Sequence, residues 1–82
     1  LYMRYELGQL VKSHHDSSIW MVTKVDRENE HYEIEDGIGT CYYSHDEILS
    51  PITDKEFFHH LQTKQLTSTR LIKSYLKSQN KS

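Results

Sequence analysis

The sequence predicts a mostly β domain in which a meander of short strands is followed by two C-terminal helices. Three observations carry that prediction. Between Ile19 and Ser44, short apolar or alternating runs are separated by clusters of turn formers, the pattern of strands joined by tight connections. After Pro51 the apolar spacing changes from a period of two to that of a helix. With 82 residues and one cysteine, Cys41, the chain fits a single small domain, 1–82, with no internal disulfide.

Taken in order, Gly8 to Lys12 reads as a first strand entered through a glycine, and the polar stretch His14 to Ser18 as a loop. Ile19 to Val25 is the strongest strand, rich in β-branched and aromatic residues. Its alternation places Ile19, Met21, Thr23 and Val25 on one face and Trp20, Val22 and Lys24 on the other. Both faces are partly apolar, so the strand is expected to be central, with Trp20 or Val22 beneath a C-terminal helix. Asp26 to Glu30 is a polar hairpin turn, and His31 to Asp36 alternates with Tyr32 and Ile34 inward. Gly37 and Gly39 suit a turn that needs positive φ, and Thr40 to Ser44 is the next strand. Ser44 and Glu47 have the spacing that starts a single helical turn. Leu49 to Ile52 is a short last strand, which Pro51 confines to an edge or an end.

Thr53 and Glu56 then form a capping box, with Ile52 and Phe57 at the staple positions, and open a helix over 54–64. Thr67 caps a second helix over 68–79, with Leu66 and Leu71 as its staple. Leu71, Ile72, Tyr75 and Leu76 fall on one side of it, and Arg70, Lys73, Lys77 and Lys81 on the other. The expected core is Leu10, Val11, Ile19, Met21, Val25, Tyr32, Ile34, Ile48, Phe57, Leu61, Leu71 and Leu76.

This succession of strand, polar loop, central strand, hairpin, strand, glycine turn, strand, one-turn helix and short strand resembles the Src-homology-3-like (SH3-like) small barrel. Tudor and KOW modules share that fold class. The resemblance covers about residues 5–52. It implies a five-stranded SH3-like barrel, with 53–82 as a helical extension packed on it, and it favours binding over catalysis.

The residues themselves point the same way. Residues 1–52 hold ten carboxylates against four lysines and arginines, a net of −6, whereas residues 53–82 hold six cations against two carboxylates, a net of +4. Six histidines are present, but in His14-His15 and His59-His60 neighbouring side chains diverge, so neither pair alone chelates an ion well. Cys41 lies in an acidic stretch that disfavours thiolate and is expected to be a small buried hydrophobe. No catalytic constellation, metal site or cofactor is expected, and the chain reads as a non-enzyme. No apolar run is long enough to cross a membrane, and a cytoplasmic setting is the expectation. Trp20, Tyr32, Tyr42 and Tyr43 are candidates for an aromatic surface that takes a cation or a peptide. Tyr42 and Tyr43 are consecutive in a strand, so one of them points away from the core. The leading expectation is a small accessory or regulatory protein that binds another protein or peptide. The alternative is nucleic-acid binding through Arg70, Lys73, Lys77 and Lys81. The apolar side of the second helix is expected to fold onto its own domain, giving a monomer, in preference to pairing with a second copy.

Overall fold

The computed structural model describes residues 3–79. Strands β1 (Leu10–Ser13), β2 (Ile19–Asp26), β3 (His31–Glu35), β4 (Cys41–His45) and β5 (Leu49–Pro51) form one antiparallel sheet, and helices α1 (Asp54–Gln62) and α2 (Thr69–Gln79) follow. The strand order is β4-β3-β2-β1-β5. The sheet is not closed, so β4 and β5 are its two edges. A single 3-10 turn, Asp46–Ile48, joins β4 to β5.

The two sheet faces are buried by different means. On one, Val11, Trp20, Val22, Tyr32, Ile34 and Leu49 pack with Met3 and Tyr5 of the N-terminal segment. On the other, Leu10, Ile19 and Met21 pack with Phe57, Leu66, Leu71 and Tyr75 of the helical part. Trp20 and Val22 therefore lie under the N-terminal segment, and the helices cover the opposite face, the reverse of the expected arrangement. The alternation Met3, Tyr5 supplies the two apolar side chains that fill the first face.

Val25 also changes sides. Val22 pairs with Ile34 and Lys24 with Glu33, which leaves Thr23 as an extra residue in β2. Such a bulge reverses the parity of the strand beyond it. Val25 consequently joins the Trp20 and Val22 side, packed against that cluster. The Thr23 hydroxyl anchors the bulge by donating to the carbonyl of Glu33 at 3.2 Å and to its Oε1 at 2.8 Å.

The helical termini follow local rules, with two corrections. The Thr53 capping box forms as expected, and Glu56 also pairs with Lys12 of β1, tying α1 to the sheet. Helix α2 is capped by Ser68 rather than Thr67: the amide of Leu71 donates to Ser68 Oγ at 3.3 Å and that of Ile72 to the Ser68 carbonyl at 3.0 Å. Ser44 does not start the 3-10 turn; it is a buried residue of β4. Of the expected core, Leu71 is fully buried, Ile48, Leu61 and Val25 are half-buried, and Leu76 is 46% exposed. Leu76 follows Leu71 by five residues, about 140° around the helix, which carries it off the buried stripe.

Gly37 is the joint between hairpin and helix. Its φ is 81°, and a Cβ there would come within 2.1 Å of Ser68 Oγ and 2.7 Å of Leu71 Cδ1. Only a glycine both takes this turn and lets the start of α2 lie against it.

Candidate functional site

The β3–β4 hairpin carries most of the exposed chemistry. From Glu28 to Ile48 the chain has seven carboxylates (Glu28, Glu30, Glu33, Glu35, Asp36, Asp46 and Glu47) and no lysine or arginine. Two of them find cations elsewhere in the fold. Arg70 of α2 pairs with Glu35, and Arg4 pairs with Asp46 at 2.5 Å. The others leave the hairpin strongly acidic.

Along β4 the side chains alternate between two surroundings. Tyr42 lies over Trp20, with ring centroids 5.3 Å apart and planes at 55°. Trp20 is held in place by its indole N–H, which donates to Ser18 Oγ at 2.6 Å, while the Ser18 hydroxyl donates to Asp16 Oδ1 at 2.6 Å. The hydrogen bonds from Ser18 hold the Asp16 carboxyl below its ordinary pKa, so this chain of bonds ends on a charge. Tyr43 points to the other face, where His31 meets it edge-on at 4.9 Å. Tyr42 is 58% and Tyr43 66% exposed, and Ile38 in the adjoining turn is 73% exposed.

Tyr32 has a different place. It is fully buried, tilted against Tyr5 at 5.5 Å. Its hydroxyl accepts from the Tyr5 amide at 3.2 Å and donates to Asp46 Oδ2 at 2.9 Å. Of the four candidate aromatics, then, Trp20 and Tyr42 come together, Tyr43 is displayed on the opposite face, and Tyr32 belongs to the core. Burial opposes ionisation of Asp46, but hydrogen bonds from Arg4 and Tyr32 outweigh it and hold the carboxyl below its ordinary value.

Cys41 is exposed, which corrects its expected burial. It sits opposite Glu35 in the β3–β4 ladder. Partial desolvation and the charges of Glu33 and Glu35 push its thiol above the ordinary value, which favours the unreactive protonated form. Among the described residues, no three His, Cys, Asp or Glu side chains gather closely enough to hold a metal ion. No described helix is long and apolar enough to cross a membrane.

On α2, Arg70, Lys73 and Lys77 are exposed, but Arg70 is committed to Glu35, and Lys81 lies outside the described residues. An open cleft of about 920 Å³ runs between the Gly8 turn, Pro51, Asp54 and the later turns of α2. Several of its polar groups are already used internally. The Tyr75 hydroxyl donates to Asp54, with burial and that bond raising its pKa to about 12, and the Ser74 hydroxyl donates to the Gly8 carbonyl at 2.6 Å.

Neither edge of the sheet is covered by another strand, but β4 is the longer edge, with four exposed residues against Pro51 alone in β5. No protein-family model matches the chain, and neither curated proteins nor solved structures give a significant match.

Proposed function

We propose that the chain is a non-enzymatic protein-interaction module on an SH3-like small barrel, with the β4 edge and its tyrosines as the binding surface for another protein or peptide. The observation that carries this reading is a five-residue edge strand whose two aromatic side chains are both more than half exposed. Aromatic side chains of this kind are the anchors that dominate interface energetics. The barrel part of the reading is supported by the meander order with β5 beside β1, and by the 3-10 turn that leads into β5. The domain acts as a monomer, because Leu71 and Tyr75 of α2 are spent on its own core.

The nucleic-acid reading is the weaker one. Of its four cations, Arg70 is neutralised by Glu35, and the acidic hairpin beside that pair repels phosphate.

Panning a displayed random-peptide library on the immobilised protein, with the Tyr42→Ala/Tyr43→Ala double variant as counter-screen, tests the reading. Enriched peptides should lose about tenfold or more in affinity on the double variant. Its melting temperature should stay within a few degrees of the parent, because both side chains are largely in water. Failure to enrich any peptide, or peptides that bind both proteins equally, would reject the module.

A further inference from the structure

The geometry points to strand addition as the way this surface takes its partner: an extended segment of alternating basic and apolar residues pairs with the open edge of β4 as a sixth strand. This inference rests on the interaction-module reading above and names its partner class.

The backbone supplies the first argument. Residues of β3 and β4 stand opposite each other from His31 and His45 to Glu35 and Cys41, and the next pair continues with the Asp36 amide donating to the Thr40 carbonyl at 3.1 Å. Hydrogen-bonded and non-bonded pairs alternate along an antiparallel ladder. Counting from Asp36 and Thr40, the bonded pairs are Ile34 with Tyr42 and Tyr32 with Ser44. Cys41, Tyr43 and His45 therefore turn their N–H and C=O groups away from β3, toward the free edge. An edge strand protects itself with proline, lysine or extreme shortness. β4 has neither residue and is five residues long.

The side chains supply the second argument. Opposed residues in an antiparallel pair share a face. A segment bonded to Cys41, Tyr43 and His45 places the opposed residues on the face of Glu33 and Tyr43, where cations meet a carboxylate not paired with a described lysine or arginine and an exposed ring. Its intervening residues fall on the other face, beside Tyr42 and the Trp20 ring it lies over. The pattern that fits is thus basic and apolar in strict alternation.

The third argument is charge. A second copy of this chain also offers a β4 edge, but edge-to-edge pairing would bring together two hairpins, each with seven carboxylates and no lysine or arginine between residues 28 and 48. None of these carboxylates lies in β4 itself, so the repulsion acts at longer range, between two hairpins of the same sign, and weakens with salt. The same field attracts a basic segment. The edge is open to a cationic strand and guarded against itself.

Synthetic nine-residue peptides test this on the full chain. The probe alternates lysine and valine; controls replace every lysine by glutamate, or group the lysines and valines in two blocks. The alternating basic peptide should bind at least about tenfold more tightly than either control. N-methylation then isolates the backbone. Methylating only the lysine amides should abolish binding, and methylating only the valine amides should leave it, because in an antiparallel pair only the lysine amides face β4. Loss confined to the valine set instead would also signal strand pairing, with the segment running parallel. Equal effects of the two sets, or equal binding of the block control, would overturn strand addition. Tyr43→Pro removes one outward N–H together with the ring, without removing a bond of the β3 ladder, and should weaken the alternating peptide about tenfold or more beyond Tyr43→Ala, which loses the ring but keeps the N–H. Two further results count against the inference: a dimer of the free protein broken by Tyr43→Pro, or a single-stranded oligonucleotide displacing the peptide from β4. If library peptides depend on Tyr42 and Tyr43 but are insensitive to backbone methylation, strand addition falls and the interaction module stands.

Discussion

The two edges of the sheet are built to opposite specifications. β5 has three residues, ends in Pro51, buries Leu49 and runs through Ile52 into the cap of α1. The Tyr5 hydroxyl donates to the Leu49 carbonyl at 3.0 Å, so even a polar group of that strand is taken up by the fold. β4 has five residues, of which only Ser44 is buried. What separates them is the fate of the backbone: one edge is consumed by its surroundings and the other is offered to water. An open edge is a standing hazard of aggregation. β4 carries neither proline nor lysine, and the protection around it is the negative charge of the hairpin.

The comparison breaks most severely if the protected edge is undermined. Leu49 is 1% exposed and sits in the cluster with Tyr5, Val11 and Tyr32. Leu49→Ala should cost about 2–5 kcal/mol, the usual range for a buried leucine truncated to alanine. Urea unfolding read by tryptophan fluorescence measures this, since Trp20 lies in the same cluster. A loss below about 1 kcal/mol would mean that the β5 side is not the structural one.

A smaller effect is expected at the joint between the acidic hairpin and the helices. Gly37→Ala asks an alanine to take a φ of 81° and to sit 2.1 Å from Ser68 Oγ. Backbone strain of this kind costs about 1–3 kcal/mol, and the steric conflict pushes the start of α2 off the turn. Hydrogen exchange should show faster opening at the start of α2 than in the β1–β2 pair. Uniform acceleration across the domain would show that Gly37 supports the whole fold, not this joint.

How much of this was legible in the sequence differs by element. The strand and helix order follows from turn residues, alternation and a capping box, all of which are local. The bulge at Thr23 is not local: whether a strand carries an extra residue depends on its partner's register, and that alone moves Val25 across the sheet. Met3 and Tyr5 are missing from the expected core, although their alternation with Arg4 and Glu6 carried the signal, because no strand forms there. The aromatic site was half legible. Tyr42 and Tyr43 had to diverge because they are adjacent in a strand, but an alternating Tyr32 reads the same whether it fills a core or lines a groove. Its burial is decided by Tyr5 and Asp46, 27 and 14 residues away. The open β4 edge could not be read at all, since strand order in space is a property of the assembled sheet.

The smallest expected effect sharpens the comparison, because Asp46 fastens the N-terminal segment to the end of β4. Its carboxylate takes hydrogen bonds from Arg4 Nε at 2.6 Å and from the Tyr32 hydroxyl at 2.9 Å. Asp46→Asn keeps an acceptor of similar shape but removes the charge, and should cost about 1 kcal/mol at neutral pH. The pH dependence identifies the cause. The folded carboxyl has a lowered pKa, so its contribution is complete above the unfolded value of about 3.9 and is lost as pH falls through the folded value. Asp16, Asp26, Asp36 and Glu56 are also lowered, so both proteins lose stability in acid. The difference between parent and variant isolates Asp46. It should be constant from neutral pH down to about pH 5 and then shrink toward zero as the parent's carboxylate is protonated. A difference that persists unchanged at the lowest pH where both remain folded would mean that shape, not charge, holds the N-terminal segment against the strand.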